Sequence, residues 1–345
     1  MKKARLFFQL IGIVVFTISL FMVSCTKEGP MGPAGEDGTD GNSTCLACHS
    51  GEIKSNIEAQ FAMSVHSSGI NAVDYAGGRS YCAECHSHQG FVQFANTGEV
   101  IGDITNPTAW ECATCHGLHE TMEVTDYALR LNDPINPIFD SETTMDLGGN
   151  SNLCANCHQS RRAEPNVTNP GEETFFISST HYGPHHGAQA NVVAGVGFAE
   201  ISGSVAYPEA GSSKHLELAS CTGCHMAEFA DGEGGHTWNP SLNACNTCHE
   251  ATNEDFNYGG VRTDVETKLE TLRDELVRLG VVVWVEEDEA YEPVVGTYPM
   301  IQARAFFNWV GLEEDRSFGT HNPKYIDALL QNTIEAIQAE PTPGS

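Results

Sequence analysis

Basic residues are scarce in this chain: 17 Lys and Arg stand against 46 Asp and Glu, a formal charge of −29 over 345 residues. A surface of that sign repels nucleic acid phosphates and anionic lipid, which excludes nucleic acid as a partner. It suits solubility and basic partner patches. Charge as a whole is also low, at 18 % of residues, against about a quarter in ordinary domains. Patterned apolar sequence is thin over most of the length, whereas Gly is abundant at 34 residues. The length allows one large domain or two ordinary ones. Such a composition cannot easily bury a large core of its own, so apolar mass must come from another source.

The start of the chain carries a sorting pattern. Met1 to Arg5 is basic, Leu6 to Val23 is a nearly unbroken apolar run, and Ser24 precedes Cys25. This pattern is similar to a bacterial lipoprotein signal over residues 1–24, with Cys25 as the lipidated N-terminus. An uncleaved membrane anchor is the alternative, because the run is just long enough to span a bilayer. Residues 25–43 then form a tether, in which 29–43 repeat Gly-x-y five times. Five triplets are too few to secure a collagen helix, so a flexible spacer is expected.

From Thr44 to Asn257 the sequence is rich in Gly, Asn, Ser, Thr and Pro, and only short helical turns around cysteine pairs are expected. The segment 160–212 has little helical period. From residue 258 the texture changes. Val265, Leu269, Leu272, Leu276 and Leu279 recur at helical spacing before Gly280, which predicts a helix over 264–279. Val281–Val285 has strand character, and a second helix is expected over Pro299–Val310. Asn322-Pro323 supplies an N-cap and first-turn pair for a third, running to about Ala339. The fold class is therefore mainly α with extensive irregular loops: a body over 44–257 and a small helical region over 258–345 packed on it.

Twelve of the thirteen cysteines fall in six copies of Cys-x-x-Cys-His. These are Cys45/Cys48/His49, Cys82/Cys85/His86, Cys112/Cys115/His116, Cys154/Cys157/His158, Cys221/Cys224/His225 and Cys245/Cys248/His249. Thiols three residues apart lie about one helical turn from each other. Both can form thioethers to the vinyl groups on one porphyrin edge, and the adjacent imidazole then binds the iron as proximal ligand. Zinc sites rarely require His directly after each Cys pair. Thioredoxin-like motifs come singly, and disulfides between neighbours three apart close loops too small to stabilise much. Six covalent c-type haems are the cofactors expected, and they supply the missing apolar interior.

Nine histidines remain for the opposite face of the irons: His66, His88, His119, His181, His185, His186, His215, His236 and His321. Six are needed if every iron is bis-His. The distal candidates are His66, His119, His215, His236, His321 and one of the cluster His181, His185 and His186, with His181 placed first. His119 is too close to His116 to bind the same iron and should serve a neighbour. His88 reads better as a surface or propionate-binding residue. Met63, Met122 and Met226 read as packing residues. Arg161 and Arg162 are placed either to pair with propionates or at the surface.

With these residues in hand, the chain over about 44–340 resembles the multihaem c-type cytochromes of bacterial envelopes, including lipoprotein forms with Gly-Pro-rich leaders. The resemblance rests on the six motifs, on Cys112 to His119, on His181-Tyr182-Gly183-Pro184-His185-His186-Gly187, and on Asp315-Arg316-Ser317-Phe318-Gly319-Thr320-His321-Asn322-Pro323-Lys324-Tyr325. It implies that His321 ligates a haem. It implies an exported, lipid-anchored electron carrier of the outer membrane, on its periplasmic or surface side. The partners it implies are redox donor and acceptor proteins or an extracellular acceptor, with the membrane met only through the lipid. Extracellular filament cytochromes belong to this broad group, so a homopolymer is a further expectation. The competing reading is a multihaem reductase of a nitrogen or sulfur oxyanion with one open haem. No Lys variant of the motif occurs here, and the surplus of histidines argues against an open iron.

Overall fold

The structure is a computed structural model that describes residues 49, 52–117, 128–249 and 255–342. The expected signal, Cys25, the tether, Cys45, Cys48, His119 and Met122 lie outside the described residues.

The motif-bearing body is built from short helices. They are α1 (Ile53–Ala62), α2 (Val65–Ser68), α3 (Ile70–Ala76), α4 (Ser80–His86), α5 (His88–Thr97), α6 (Cys112–Cys115), α7 (Ser151–Ala155), α8 (Pro165–Thr168), α9 (Gln189–Ala194), α10 (Lys214–Leu218), α11 (Ser220–His225) and α12 (Leu242–Asn246). Several end where Gly accepts a left-handed turn, as at Gly69, Gly98 and Gly195. Few bury an apolar stripe, and α1 has no buried residue at all. Ile53, Val65, Tyr75, Tyr81, Ile101 and Leu218 are exposed. Helices this short are not stable on their own propensity.

The C-terminal part is different. Helices α13 (Val261–Arg278), α14 (Met300–Asp315) and α15 (Pro323–Gln338) pack on one another. The periodic leucines account for this: Val265, Leu269, Leu272 and Leu276 face inward on α13. Ile326, Leu329, Leu330, Ile334 and Ile337 do so on α15. Asn322 caps α15 by accepting the Tyr325 N–H at 3.4 Å. Helix α14 runs five residues past the expected Val310. Gly311 allows this close packing, since a Cβ there would lie 2.6 Å from Phe198 and 2.8 Å from Pro184.

Strands β2 (Val282–Val285) and β3 (Ala290–Pro293) pair as an antiparallel hairpin. Strand β1 (Thr174–Ile177) pairs antiparallel with β4 (Gly296–Pro299), so body and C-terminal residues share one ladder. They also share a core, because Phe175, Ile177, Tyr182, Val192 and Phe198 join the α13–α15 cluster. Two buried asparagines hold the connecting segment there. Asn308 accepts the Ala199 N–H at 2.9 Å and donates to its carbonyl at 2.8 Å. Asn332 does the same for Val205 at 2.9 and 2.8 Å. Each satisfies backbone groups that burial would otherwise leave unpaired.

Candidate functional site: histidine pairs among the cysteine motifs

The motif cysteines of α4, α6, α7, α11 and α12 start on helical turns. In three motifs the His N–H closes that turn on the first Cys carbonyl: His116 to Cys112 at 3.0 Å, His158 to Cys154 at 2.9 Å and His249 to Cys245 at 2.9 Å. Two thiols and one imidazole are thus presented together.

The motifs also meet each other. The Cys85 thiol donates to the Asn156 carbonyl at 3.6 Å, inside the fourth motif, and pairs with the Cys157 thiol. The Thr222 N–H donates to Ser151 Oγ at 3.2 Å, joining the fifth motif to α7. There Cys154 and Cys221 pair, and that hydrogen bond together with burial holds the Cys154 proton above the ordinary thiol range. The Cys224 thiol is pushed up by burial and then by the nearby Cys245.

Motif histidines face other histidines in pairs. Ring centroids of His66 and His158 are 6.1 Å apart with planes at 87°. His86 and His185 are 6.0 Å apart at 79°. His215 and His249 are 6.2 Å apart at 83°, and His225 and His321 are 6.3 Å apart at 44°. His236 lies near enough to His116 to be influenced by its charge.

Second partners orient several of these rings through Nδ1, leaving Nε2 as the free donor atom. His158 Nδ1 bonds to Gln189 Oε1 at 3.1 Å. His225 Nδ1–H donates to the Trp238 carbonyl at 2.7 Å, His215 Nδ1–H to the Thr320 carbonyl at 2.5 Å, and His321 Nδ1–H to Asp315 Oδ1 at 2.6 Å. Asp315 is buried, and its other oxygen accepts from the Ser317 N–H at 3.3 Å and from the Ser317 hydroxyl.

Burial sets the protonation of most of these rings. It lowers His66 and His185 to about 4, and lowers His86, His158, His225 and His236. Neutral imidazoles are the form that binds a metal. His321 is the exception: burial pulls it down, but the Asp315 charge and hydrogen bond outweigh that and leave it raised.

Among the cluster in the 181–187 loop, His185 faces His86, while His181 and His186 are exposed and His186 pairs with Glu314 at 2.7 Å. Position 185 holds a non-Gly residue at φ +94°. The loop is tied to the fourth motif by Ser160 Oγ and the Arg161 N–H, which donate to the Pro184 carbonyl at 3.0 and 2.8 Å. Arg161 and Arg162 line a small cavity beside His185, where their charge suits carboxylates. His88 bonds instead to Thr114 Oγ1 at 2.7 Å. His49 is exposed.

Among the described residues no group of three or more His, Cys, Asp and Glu gathers as a site for a bare ion; the histidines meet in twos. A bare zinc needs about four protein donors, whereas a porphyrin iron needs only axial ones. A metal–imidazole bond is about 2.0–2.1 Å. The bonded nitrogen of a ring with edges of about 1.35 Å lies about 1.15 Å from the centroid. Two imidazoles on opposite sides of one iron therefore place their centroids about 6.3–6.5 Å apart. The four ring pairs fall within about 0.5 Å of that range, so the residues fit the group.

No family model and no curated protein sequence matches this chain. Its fold is similar to the crystal structure of the outer cell wall cytochrome OcwA, with a TM-score of 0.52 at 16 % identity, over 82 % of this chain and 50 % of that one. The chain spans about half the length of that cytochrome, and what the two share at this identity is the fold.

Proposed function

We propose that the chain is an exported electron-transfer protein with six covalently bound c-type haems, bis-His ligated, that relays electrons across or outside the cell envelope. The spacing of the histidine pairs carries this reading. On this reading His66 would stand opposite His158, His185 opposite His86, His215 opposite His249 and His321 opposite His225, in keeping with the four ring spacings, and His236 would serve the His116 centre. The likeness in fold to an outer cell wall cytochrome supports an extracytoplasmic location. Among the described residues no helix is long and apolar enough to cross a membrane, and attachment through Cys25 remains part of the proposal.

Each bound haem supplies an iron that alternates between ferric and ferrous states. The chain's own residues do the rest. The motif thiols would hold each porphyrin, and the paired imidazoles would bind its iron and keep substrate from it. Gln189, Trp238, Thr320 and Asp315 hold rings by Nδ1, so that Nε2 is presented.

Haem stoichiometry and electron paramagnetic resonance of the oxidised holoprotein test this. Six haems per chain and low-spin signals throughout are expected. Near-perpendicular imidazole planes leave two iron π orbitals close in energy. The His66–His158, His86–His185 and His215–His249 centres should therefore give strongly anisotropic signals, and the tilted His225–His321 centre a more rhombic one. A high-spin signal from one sixth of the iron would count for the reductase instead.

A further inference from the structure

Trp238 occupies an unusual position. Its backbone is left-handed, at φ +56°, a conformation that bulky residues rarely adopt. The turn that forces it is firmly tied. The Gly234 N–H donates to the Asn239 carbonyl at 2.8 Å and the Gly235 N–H to the Ala227 carbonyl at 2.8 Å. Thr237 Oγ1 donates to the Gly234 carbonyl at 2.7 Å. Gln60 reaches in from α1 to accept the His236 N–H at 3.0 Å. Phe61 packs its ring edgewise on the indole at 5.8 Å.

Three histidines meet this one residue. The indole makes edge contacts with His66 at 4.9 Å and 78° and with His236 at 5.6 Å and 74°. Its carbonyl accepts the Nδ1–H of His225 at 2.7 Å. His66 faces His158, and His225 faces His321. None of this follows chain order, since His66 lies before the second motif and faces the fourth.

Resting on the ligand assignment above, we propose that Trp238 is a positioning residue that gathers the centres of the third, fourth and fifth motifs into one three-way junction. The route through the protein then branches at the fourth motif, whose Cys157 also meets Cys85 of the second. Each passage is a single electron leaving one ferrous iron, which becomes ferric, and reducing a ferric neighbour, with no bond or proton exchanged. The indole fixes the ring planes of His66 and His236, and the strained carbonyl fixes the His225 ring.

The test uses the haem-loaded full chain. His66→Ala, His236→Ala and His321→Ala each open one centre and so mark its signal by conversion to high-spin. In Trp238→Leu the signals of the His66 and His236 centres should shift in anisotropy. The midpoint potential of the His225 centre should move as the turn relaxes, and the remaining centres should stay where they are. No shift, or a shift confined to one centre, overturns the junction. If Trp238→Leu fails to load, Trp238→Phe keeps an aromatic ring; the same three centres should then move less, and none moving overturns the proposal. Failure of the single histidine variants to create high-spin iron would instead remove the ligand assignment itself.

Discussion

The two halves of this protein are held together by different means. Helices α13 to α15 run to 16–18 residues each and bury a continuous apolar cluster in which Leu272, Leu276, Phe306, Phe307, Leu329 and Leu330 are fully enclosed. The motif-bearing body uses helices of 4 to 10 residues, and large apolar side chains such as Ile101, Tyr81 and Tyr75 stand 68–72 % exposed. Among the described residues its separate buried cluster is small, around Met145, Leu147, Ala155 and Val193. A periodic leucine stripe makes its own interior. The segments with Cys-x-x-Cys-His motifs carry no such stripe, and on the proposed reading attached haem would fill the space between them.

The sharpest way to break this comparison is to withhold haem. Chain made without haem attachment should be cut by protease throughout 52–160 and 208–249, while the α13–α15 core resists. Mass spectrometry of the fragments checks this, and equal sensitivity of both parts would defeat the contrast. Next in size is Phe306→Ala, which opens a cavity in the core and should cost about 3–5 kcal/mol, read by denaturant unfolding monitored at the far-ultraviolet helix signal. The haem-region absorption should change little below that transition.

Asp315→Asn sharpens the comparison at the seam between the halves. A buried carboxylate on a ligating imidazole raises its basicity and favours ferric iron. Removing that charge should shift one midpoint potential upward and leave the other centres unmoved in a spectroelectrochemical titration. A uniform shift would point to a general loss of structure. The smallest effect expected is Asn322→Ala, which removes the α15 cap and should cost about 1 kcal/mol in thermal or denaturant unfolding.

Much of the C-terminal half was legible in the sequence because its signals are local. The stripe from Val265 to Leu279 and the Asn322-Pro323 start specify their helices without reference to other residues, and the cysteine motifs specify their turns likewise. What was not legible depends on contacts between distant segments. The low-period stretch 160–212 gave no hint that Thr174–Ile177 would pair with Gly296–Pro299. Nor could spacing choose among His181, His185 and His186, because the left-handed backbone at His185 comes from hydrogen bonds made by Ser160 and Arg161. Trp238 carried no signal at all: its role depends on a turn strapped to Gln60, 178 positions earlier.

The segment between α14 and α15 bears on how the protein is made. It is a tight bend: Arg316, Phe318 and Gly319 all have positive φ, and a Cβ on Gly319 would lie 2.7 Å from Val261. In that bend Thr320 steers His215 and His321 faces His225. A chain exported from its N-terminus presents the thiols of Cys221 to Cys248 to the attachment machinery before this bend has emerged. On the proposed ligand set, the fifth centre would therefore have His225 but lack His321 at first. It is completed only when the last helices dock, so truncated products would be marked by an iron left open.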